Sequence, residues 1–253
     1  MPNPTPLSAV VITFNEAANI AACLDSLRQV TDDIVVMDSF STDQTASICQ
    51  QKGVRFYQRA WEGYSAQKNA GNALAQHDWI LSLDADERLS AELAAAIRAT
   101  FSQPLQADAF DLRFQTHFGG KAIRFGGWNP EWHIRLFNKQ KIGWNTDAVH
   151  EGLTIQPSHR VQQLKGYVLH FTVDTPAQFV AKTERYSSLF AERAMHQGKK
   201  TNWVKLWLSP VFRFVSEYFF KLGFLDGQEG LLIAKENARY TYLKYKKLRE
   251  QQG

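Results

Sequence analysis

Only two cysteines, Cys23 and Cys49, occur in 253 residues, and neither belongs to a Cys-x-x-Cys pair or a Cys/His ligand spacing. A disulfide framework and a structural zinc site are therefore not expected, and both thiols are read as buried and free. No stretch of 18 apolar residues occurs, so no spanning helix is expected. The opening Met1-Pro2-Asn3-Pro4-Thr5-Pro6-Leu7 lacks the basic and apolar regions of a secretory signal, which makes the cytoplasm the expected compartment. No Gly-x-Gly-x-x-Gly follows the first apolar run and no P-loop is present. These absences disfavour a dinucleotide-dependent dehydrogenase and a P-loop phosphoryl-transfer enzyme. Internal repeats and low-complexity segments are missing too.

What is present is a chain of 44% hydrophobic content, enough to bury the core of one large α/β domain or of a domain with an appendage. The formal charge of +4 is unevenly placed. Residues 176–253 carry 14 Lys and Arg against 7 Asp and Glu, whereas residues 1–175 carry 15 against 18.

Short β-branched runs at 7–13, 34–38, 54–57 and 79–84 alternate with helical patterns, the signature of a mostly parallel central sheet with helices on both faces. Ligands of such sheets gather at the carboxyl ends of the strands. Here those ends read Thr13-Phe14-Asn15-Glu16, Asp38-Ser39-Phe40-Ser41-Thr42-Asp43 and Asp84-Ala85-Asp86-Glu87. From about residue 109 the strand-like stretches are broken by Gly119-Gly120, Gly126-Gly127 and Asn129-Pro130, and after Thr175-Pro176 the pattern turns helical. A helix is expected over 179–197, ended by Gly198. The expected division is one domain over 1–175, with a regular half at about 1–108 and a less regular half at 109–175, followed by a basic, aromatic helical extension over 176–253.

Asp84 and Asp86 leave the end of a buried strand together, and such oxygens suit Mg²⁺ or Mn²⁺ bridging a diphosphate. Taken alone, Asp84 merely ends its strand while Asp86 and Glu87 lead into a helix beginning near Ser90. Asp38 can accept hydrogen bonds from a base or ribose, or end a strand before a capped turn. Lys68, in Gln67-Lys68-Asn69, is either a cation near phosphates or a solvated helix lysine.

In order, spacing and strand context these motifs resemble the family 2 glycosyltransferases of the GT-A fold, which is Rossmann-like. The resemblance continues through Arg135-Leu136-Phe137, Val149-His150-Glu151, Leu169-His170-Phe171, Phe224-Leu225-Asp226-Gly227 and Lys244-Tyr245-Lys246-Lys247-Leu248. Within that family the chain looks most like the lipopolysaccharide core β-1,4-glucosyltransferase type. The resemblance implies that Thr13, Asn15, Glu16, Asp38, Lys68 and Asp84 bind the nucleotide sugar, expected to be a UDP-sugar. It implies that Asp86 holds a divalent metal, Mn²⁺ or Mg²⁺, and that Glu151 takes the proton of the acceptor hydroxyl. Asp147 is the rival base. His170 is either a metal ligand or an ordinary structural histidine, and His150 orients Glu151 or the acceptor.

Trp128, Trp132 and Trp144 suit stacking on sugar rings or packing in a core. Arg124 and Arg135 suit an anionic acceptor group or an ion pair. The segment from Trp203 to Leu222 has a narrow polar stripe and a wide apolar face, with Pro210 expected to divide it into two pieces. It fits an anionic membrane surface, placing the protein peripherally on the cytoplasmic face of the inner membrane, or it packs on the catalytic domain or a partner. The basic 239–249 segment lacks a nucleic-acid module, so no nucleic-acid partner is expected. The expected function is inverting transfer of a hexose to a hydroxyl of a saccharide or lipid-linked saccharide in cell-envelope glycan or lipopolysaccharide core synthesis. Transfer to a polyprenyl phosphate and a non-catalytic membrane-bound sugar-nucleotide-binding scaffold are the alternatives.

Overall fold

Runs that are apolar at nearly every position become strands buried on both faces. The computed structural model describes residues 5–128, 130–145 and 152–252. In chain order its first elements are β1 (Leu7–Thr13), α1 (Ile20–Leu27), β2 (Asp33–Asp38), α2 (Thr45–Gln51), β3 (Arg55–Gln58), α3 (Tyr64–Leu74), β4 (Trp79–Asp84), β5 (Glu87–Leu89) and α4 (Ala91–Phe101). There follow β6 (Ala109–Phe118), β7 (Lys121–Ala122), β8 (Glu131–Asn138), β9 (Val161–Val173), α5 (Pro176–His196), α6 (Trp203–Val215) and α7 (Gly227–Glu250).

The sheet runs β3-β2-β1-β4-β8-β6-β9-β5, with β7 paired to β6. Its β3-β2-β1-β4 half is parallel, as expected from the alternation of strands and helices. The β4–β8 and β5–β9 pairs are antiparallel, so the whole is a mixed α/β sheet. Ala9 and Val11 pack with Cys23, Leu24, Leu93 and Ile97 of α1 and α4. The alternate residues Val10, Val35 and Ile80 pack with Leu74 and Ala75 at the end of α3. Helices therefore cover both faces, and both cysteines are buried and free.

Register positions the candidate site. Thr13 pairs with Asp38, and Ile12 with Asp84. Three polar strand ends thus leave the sheet at one edge.

The chain divides into two compact units, Met1–Phe114 with Trp132–His170, and Gln115–Glu131 with Phe171–Gly253. In the second, α5 starts at a capping box in which Thr175 and Gln178 exchange hydrogen bonds and Pro176 takes the first turn. Its core gathers Phe118, Ile123, Val173, Phe179 and Ile233. Lys247 and Arg239 of α7 both bind Glu184 of α5.

Pro210 does not divide the 203–222 segment where expected. It lies inside a single helix, α6, held along α7 by buried Leu206 and by Trp207, whose ring centroid is 5.5 Å from that of Tyr242. The break comes later, at a π-helical turn over Ser216–Phe220, and Leu222 ends it with φ 59°. Tertiary packing has outweighed the one backbone hydrogen bond that proline removes.

Helix α3 approaches β1 through Gly71, where an added Cβ would lie 2.4 Å from Cγ1 of fully buried Val10. Gly71→Ala is expected to destabilise the protein by about 1–3 kcal/mol through overpacking. Val10→Ala combined with it should recover part of that loss, a coupling readable in thermal unfolding. Additive losses would show that the two residues do not compete for this space.

Candidate functional site

The loop after β1 is built from backbone amides held by the loop after β2. Asn15, at φ 54°, donates its N–H to Ser41 Oγ at 2.8 Å, and its Oδ1 accepts the Thr42 N–H at 2.8 Å. The Glu16 N–H reaches Thr45 Oγ1 at 2.9 Å, and the Ala17 N–H reaches Asp43 Oδ2 at 3.0 Å. Asparagine tolerates this left-handed backbone better than most residues. Glu16 also accepts a hydrogen bond from the Asn19 side chain at 2.8 Å. Asp38, fully buried, accepts hydrogen bonds from the Ser41 N–H at 2.9 Å, the Ser41 hydroxyl and Gln58 Nε2 at 3.0 Å. Thr13 is buried beside it, with no hydrogen-bond partner for Oγ1 among the described residues. Phe14 and Phe40, which sequence reasoning passed over, stand 52% and 53% exposed on these same two loops, and Phe40 has φ 60°. Large exposed aromatics on the two loops were the available signal.

The Gln67-Lys68-Asn69 triplet sends three side chains to three places. Gln67 Nε2 donates to Ser39 Oγ at 2.8 Å and to the Arg59 carbonyl at 3.2 Å, tying α3 to the β2 end. Asn69 Nδ2 donates to the Trp144 carbonyl at 3.0 Å and its Oδ1 accepts the Trp144 N–H at 3.3 Å. Lys68, only 1% exposed, lies 3.1 Å from Asp84 Oδ1 and 4.6 Å from the Trp144 ring centroid. It is a buried cation and not a solvated helix lysine. Burial works to raise the Asp84 pKa, but Lys68 and then Arg135 outweigh it and hold the carboxyl below its ordinary value.

Asp84 ends β4, and Glu87 opens β5 instead of leading into a helix. The helix cap belongs to Ser90, whose Oγ accepts the Leu93 N–H. Glu87 Oε2 accepts the Asp84 N–H at 2.8 Å, while Oε1 lies 3.8 Å from Arg135 Nη2. Arg135 itself stacks 5.4 Å from the Phe114 ring centroid and 5.6 Å from that of Trp144. Burial first, and then the Asp84 charge, push the Glu87 pKa up to about 7.

Strand pairing sets Glu87 opposite His170, which brings His170 Nε2 to 3.2 Å from Asp86 Oδ2. Two ligands bound at right angles about 2.1 Å from one small divalent ion would stand about 3.0 Å apart. The pair therefore fits the metal expected from the sequence, given a neutral imidazole. No cluster of three or more His, Cys, Asp or Glu suited to a metal occurs among the described residues. A hard divalent ion completes its shell with phosphate oxygens and water, so two protein ligands suffice.

The first unit thus brings together Thr13, Asn15, Glu16, Asp38, Lys68, Asp84, Asp86, Arg135 and His170. Trp128 belongs to the second unit, 4.9 Å from Phe179 and 6.2 Å from Phe118 between ring centroids. Glu151, His150 and Asp147 lie outside the described residues. Glu87 and Gln67 were missed as site-building residues.

A carboxyl whose pKa rises from 4.5 unfolded to about 7 folded stabilises the fold below pH 4.5, and that contribution is lost as pH climbs through 7. Without divalent metal, the melting temperature should therefore carry a falling component between those limits. Glu87→Gln should remove it, as thermal unfolding across a pH series would reveal. An unchanged profile in the variant would discount Glu87 as the source.

Residues 8–156 match the family described as Glycosyl transferase family 2. An uncharacterized glycosyltransferase of Rickettsia felis is 32% identical over 255 residues, spanning 96% of this chain and 89% of that one. The lipopolysaccharide core biosynthesis glycosyltransferase LpsC of Rhizobium meliloti is 30% identical over 250 residues, spanning 94% and 90%. Among solved structures, the mannosyltransferase PcManGT of Pyrobaculum calidifontis, in complex with GDP-Man and Mn²⁺, superposes with a TM-score of 0.53. It shares 15% identity over 99% of this chain and 90% of its own, a likeness of fold alone. With the family matched over more than half its length and relatives along nearly all of it, the chain belongs to glycosyl transferase family 2.

Proposed function

We propose that the protein is an inverting, metal-dependent hexosyltransferase that moves a sugar from a nucleotide sugar to a hydroxyl of a saccharide or lipid-linked saccharide. The observation that carries this is the exit of Asp38 and Asp84 from one edge of the parallel sheet, with buried Lys68 3.1 Å from Asp84 and His170 3.2 Å from Asp86. Similarity to LpsC supports an acceptor in lipopolysaccharide core or related cell-envelope glycan synthesis. The nucleotide-sugar complex of the mannosyltransferase supports the donor class, and UDP remains the nucleotide expected for this chain. Residues 1–175 would then be the catalytic part and 176–253 an extension, working in the cytoplasm where sugar nucleotides are made.

In this scheme Asn15, Glu16, Thr13 and Asp38 hold the nucleoside, with Phe14 or Phe40 offering a face for the base to stack on. Buried Lys68 offsets the charge of Asp84, so the edge where the diphosphate departs depends on the divalent ion for net positive charge. Asp86 and His170 would hold Mn²⁺ or Mg²⁺, which supplies Lewis-acid stabilisation of the leaving diphosphate. A hydroxyl is a weak nucleophile, so a carboxylate must take its proton as it attacks the anomeric carbon. Glu151 is assigned that role, with His150 beside it on the acceptor side. Attack opposite the leaving group inverts the anomeric centre. Arg135 is the acceptor-side candidate within the first unit.

Asp86→Ala is expected to abolish the Mn²⁺ or Mg²⁺ dependence of nucleotide-sugar binding measured by calorimetry. Glu151→Gln should keep that binding and lose transfer by about 10²- to 10⁴-fold. Full transfer by Glu151→Gln would reject Glu151 as the base and leave either Asp147 in that role or an acceptor that needs no base, such as a polyprenyl phosphate. No turnover by the unaltered protein across a panel of sugar nucleotides and acceptors would favour the scaffold alternative.

A further inference from the structure

Helix α6 turns its apolar face outward. Trp203, Val204, Trp207, Leu208, Val211 and Phe212 recur at i, i+1, i+4, i+5, i+8 and i+9, and each is between 56% and 69% exposed. At the end of the π-helical turn, Phe219 and Phe220 continue the exposure at 53% and 75%, followed by Leu222, Phe224 and Leu225. The opposite side of α6 is already satisfied, with Leu206 buried and Arg213 paired to buried Glu217. A ridge this rich in tryptophan, phenylalanine and branched aliphatics exceeds the scattered apolar residues of an ordinary surface.

The charge around the ridge says what covers it. From Arg193 to Gln228 the sequence contains only two carboxylates, Glu217 and Asp226, and both are buried. Glu217 accepts a hydrogen bond from Asn237, and Asp226 accepts the N–H groups of Arg124 and Phe125. Exposed Lys199, Lys200, Lys205 and Lys221 flank the apolar residues in the same stretch. Arg249 adds a guanidinium 3.5 Å from the Trp203 ring centroid. No helix among the described residues is long and apolar enough to cross a membrane.

We propose that the α6 ridge and the turn after it form a docking surface for an anionic phospholipid bilayer, lying in the plane of the interface with its aromatic side below the headgroups. A second copy of the chain would bring the same unrelieved positive rim against itself, whereas anionic headgroups neutralise it. Phe, Trp and Leu supply the insertion, and the lysines select the headgroup charge. This goes beyond the glycosyl-transfer reading and does not depend on it, because no residue of the surface belongs to the donor or metal site.

The test is flotation of the full chain with vesicles of phosphatidylcholine alone or mixed with phosphatidylglycerol. Binding is expected on the mixed vesicles, weakening as salt rises, with a blue shift of tryptophan emission. Val211→Asp with Phe212→Asp alters two exposed side chains and should lower that binding about tenfold or more while circular dichroism and nucleotide-sugar binding stay unchanged. Lys205→Gln with Lys221→Gln, which leaves the apolar ridge intact, should weaken binding to the mixed vesicles and flatten its salt dependence. Equal binding of the ridge variant and the unaltered protein would overturn the proposal. So would absence of vesicle binding together with a dimer that the ridge variant converts to monomer, since a second copy would then be the occupant.

Discussion

A lysine ammonium almost wholly removed from water is the constraint around which the first unit is arranged. Lys68 sits on the face of α3 that meets the sheet, and its head group ends 3.1 Å from Asp84. A buried cation without a partner is costly, and removing one member of such a pair costs about 3–5 kcal/mol. The position of α3 is therefore tied to the end of β4. Gly71 permits the close approach, and Gln67 and Asn69 fix the helix rotation by binding the β2 loop and the Trp144 backbone.

From that pair the rest of the site follows by contact. Trp144 offers its ring to both Lys68 and Arg135, so two cations share one aromatic wall. Arg135 in turn faces Glu87, and Glu87 holds the Asp84 amide. The chain of contacts closes on Asp84, whose backbone and carboxylate are each held from a different element. Asp86 is outside that closed ring and meets His170 instead. The Asp84 carboxylate is committed to a buried lysine, whereas that of Asp86 faces a histidine, a side chain that itself binds metals. This difference separates the two aspartates of one short motif.

Much of this was legible in the sequence because it depends on local pattern. The apolar runs before Thr13, Asp38 and Asp84 sufficed to find three parallel strands, and parallel register alone brings their ends to one edge. Lys68 and His170 were readable as candidates from their places beside the strand ends, but their surroundings were not. Glu87 was read as part of a helix lead-in because β5 is only three residues long, too short for any periodicity. Its burial and the meeting of His170 with Asp86 both depend on pairing β5 with β9, a contact across more than 80 positions. Trp144 gave no sign that it would lie under two cations, since an isolated tryptophan suits a core equally well. Pro210 misled because its local preference for a break was outweighed by packing along α7.

The charges assembled at the strand ends bear on the metal. Lys68 and Arg135 supply two positive charges, and Asp84 and Asp86 supply two negative ones. With Glu87 protonated, as its pKa of about 7 allows near and below neutrality, and His170 neutral, these groups cancel. A nucleoside diphosphate brought to this edge would then meet no net attraction from the six, and Asp86 would repel it. Repulsion of that kind between unscreened charges at about 4 Å is worth several kcal/mol at an effective dielectric constant near 20. A divalent cation held by Asp86 and His170 would change the sign of the encounter. The cluster is therefore poorly suited to hold a diphosphate by itself and well suited to hold one together with Mg²⁺ or Mn²⁺, the physical ground on which the metal-dependent reading stands.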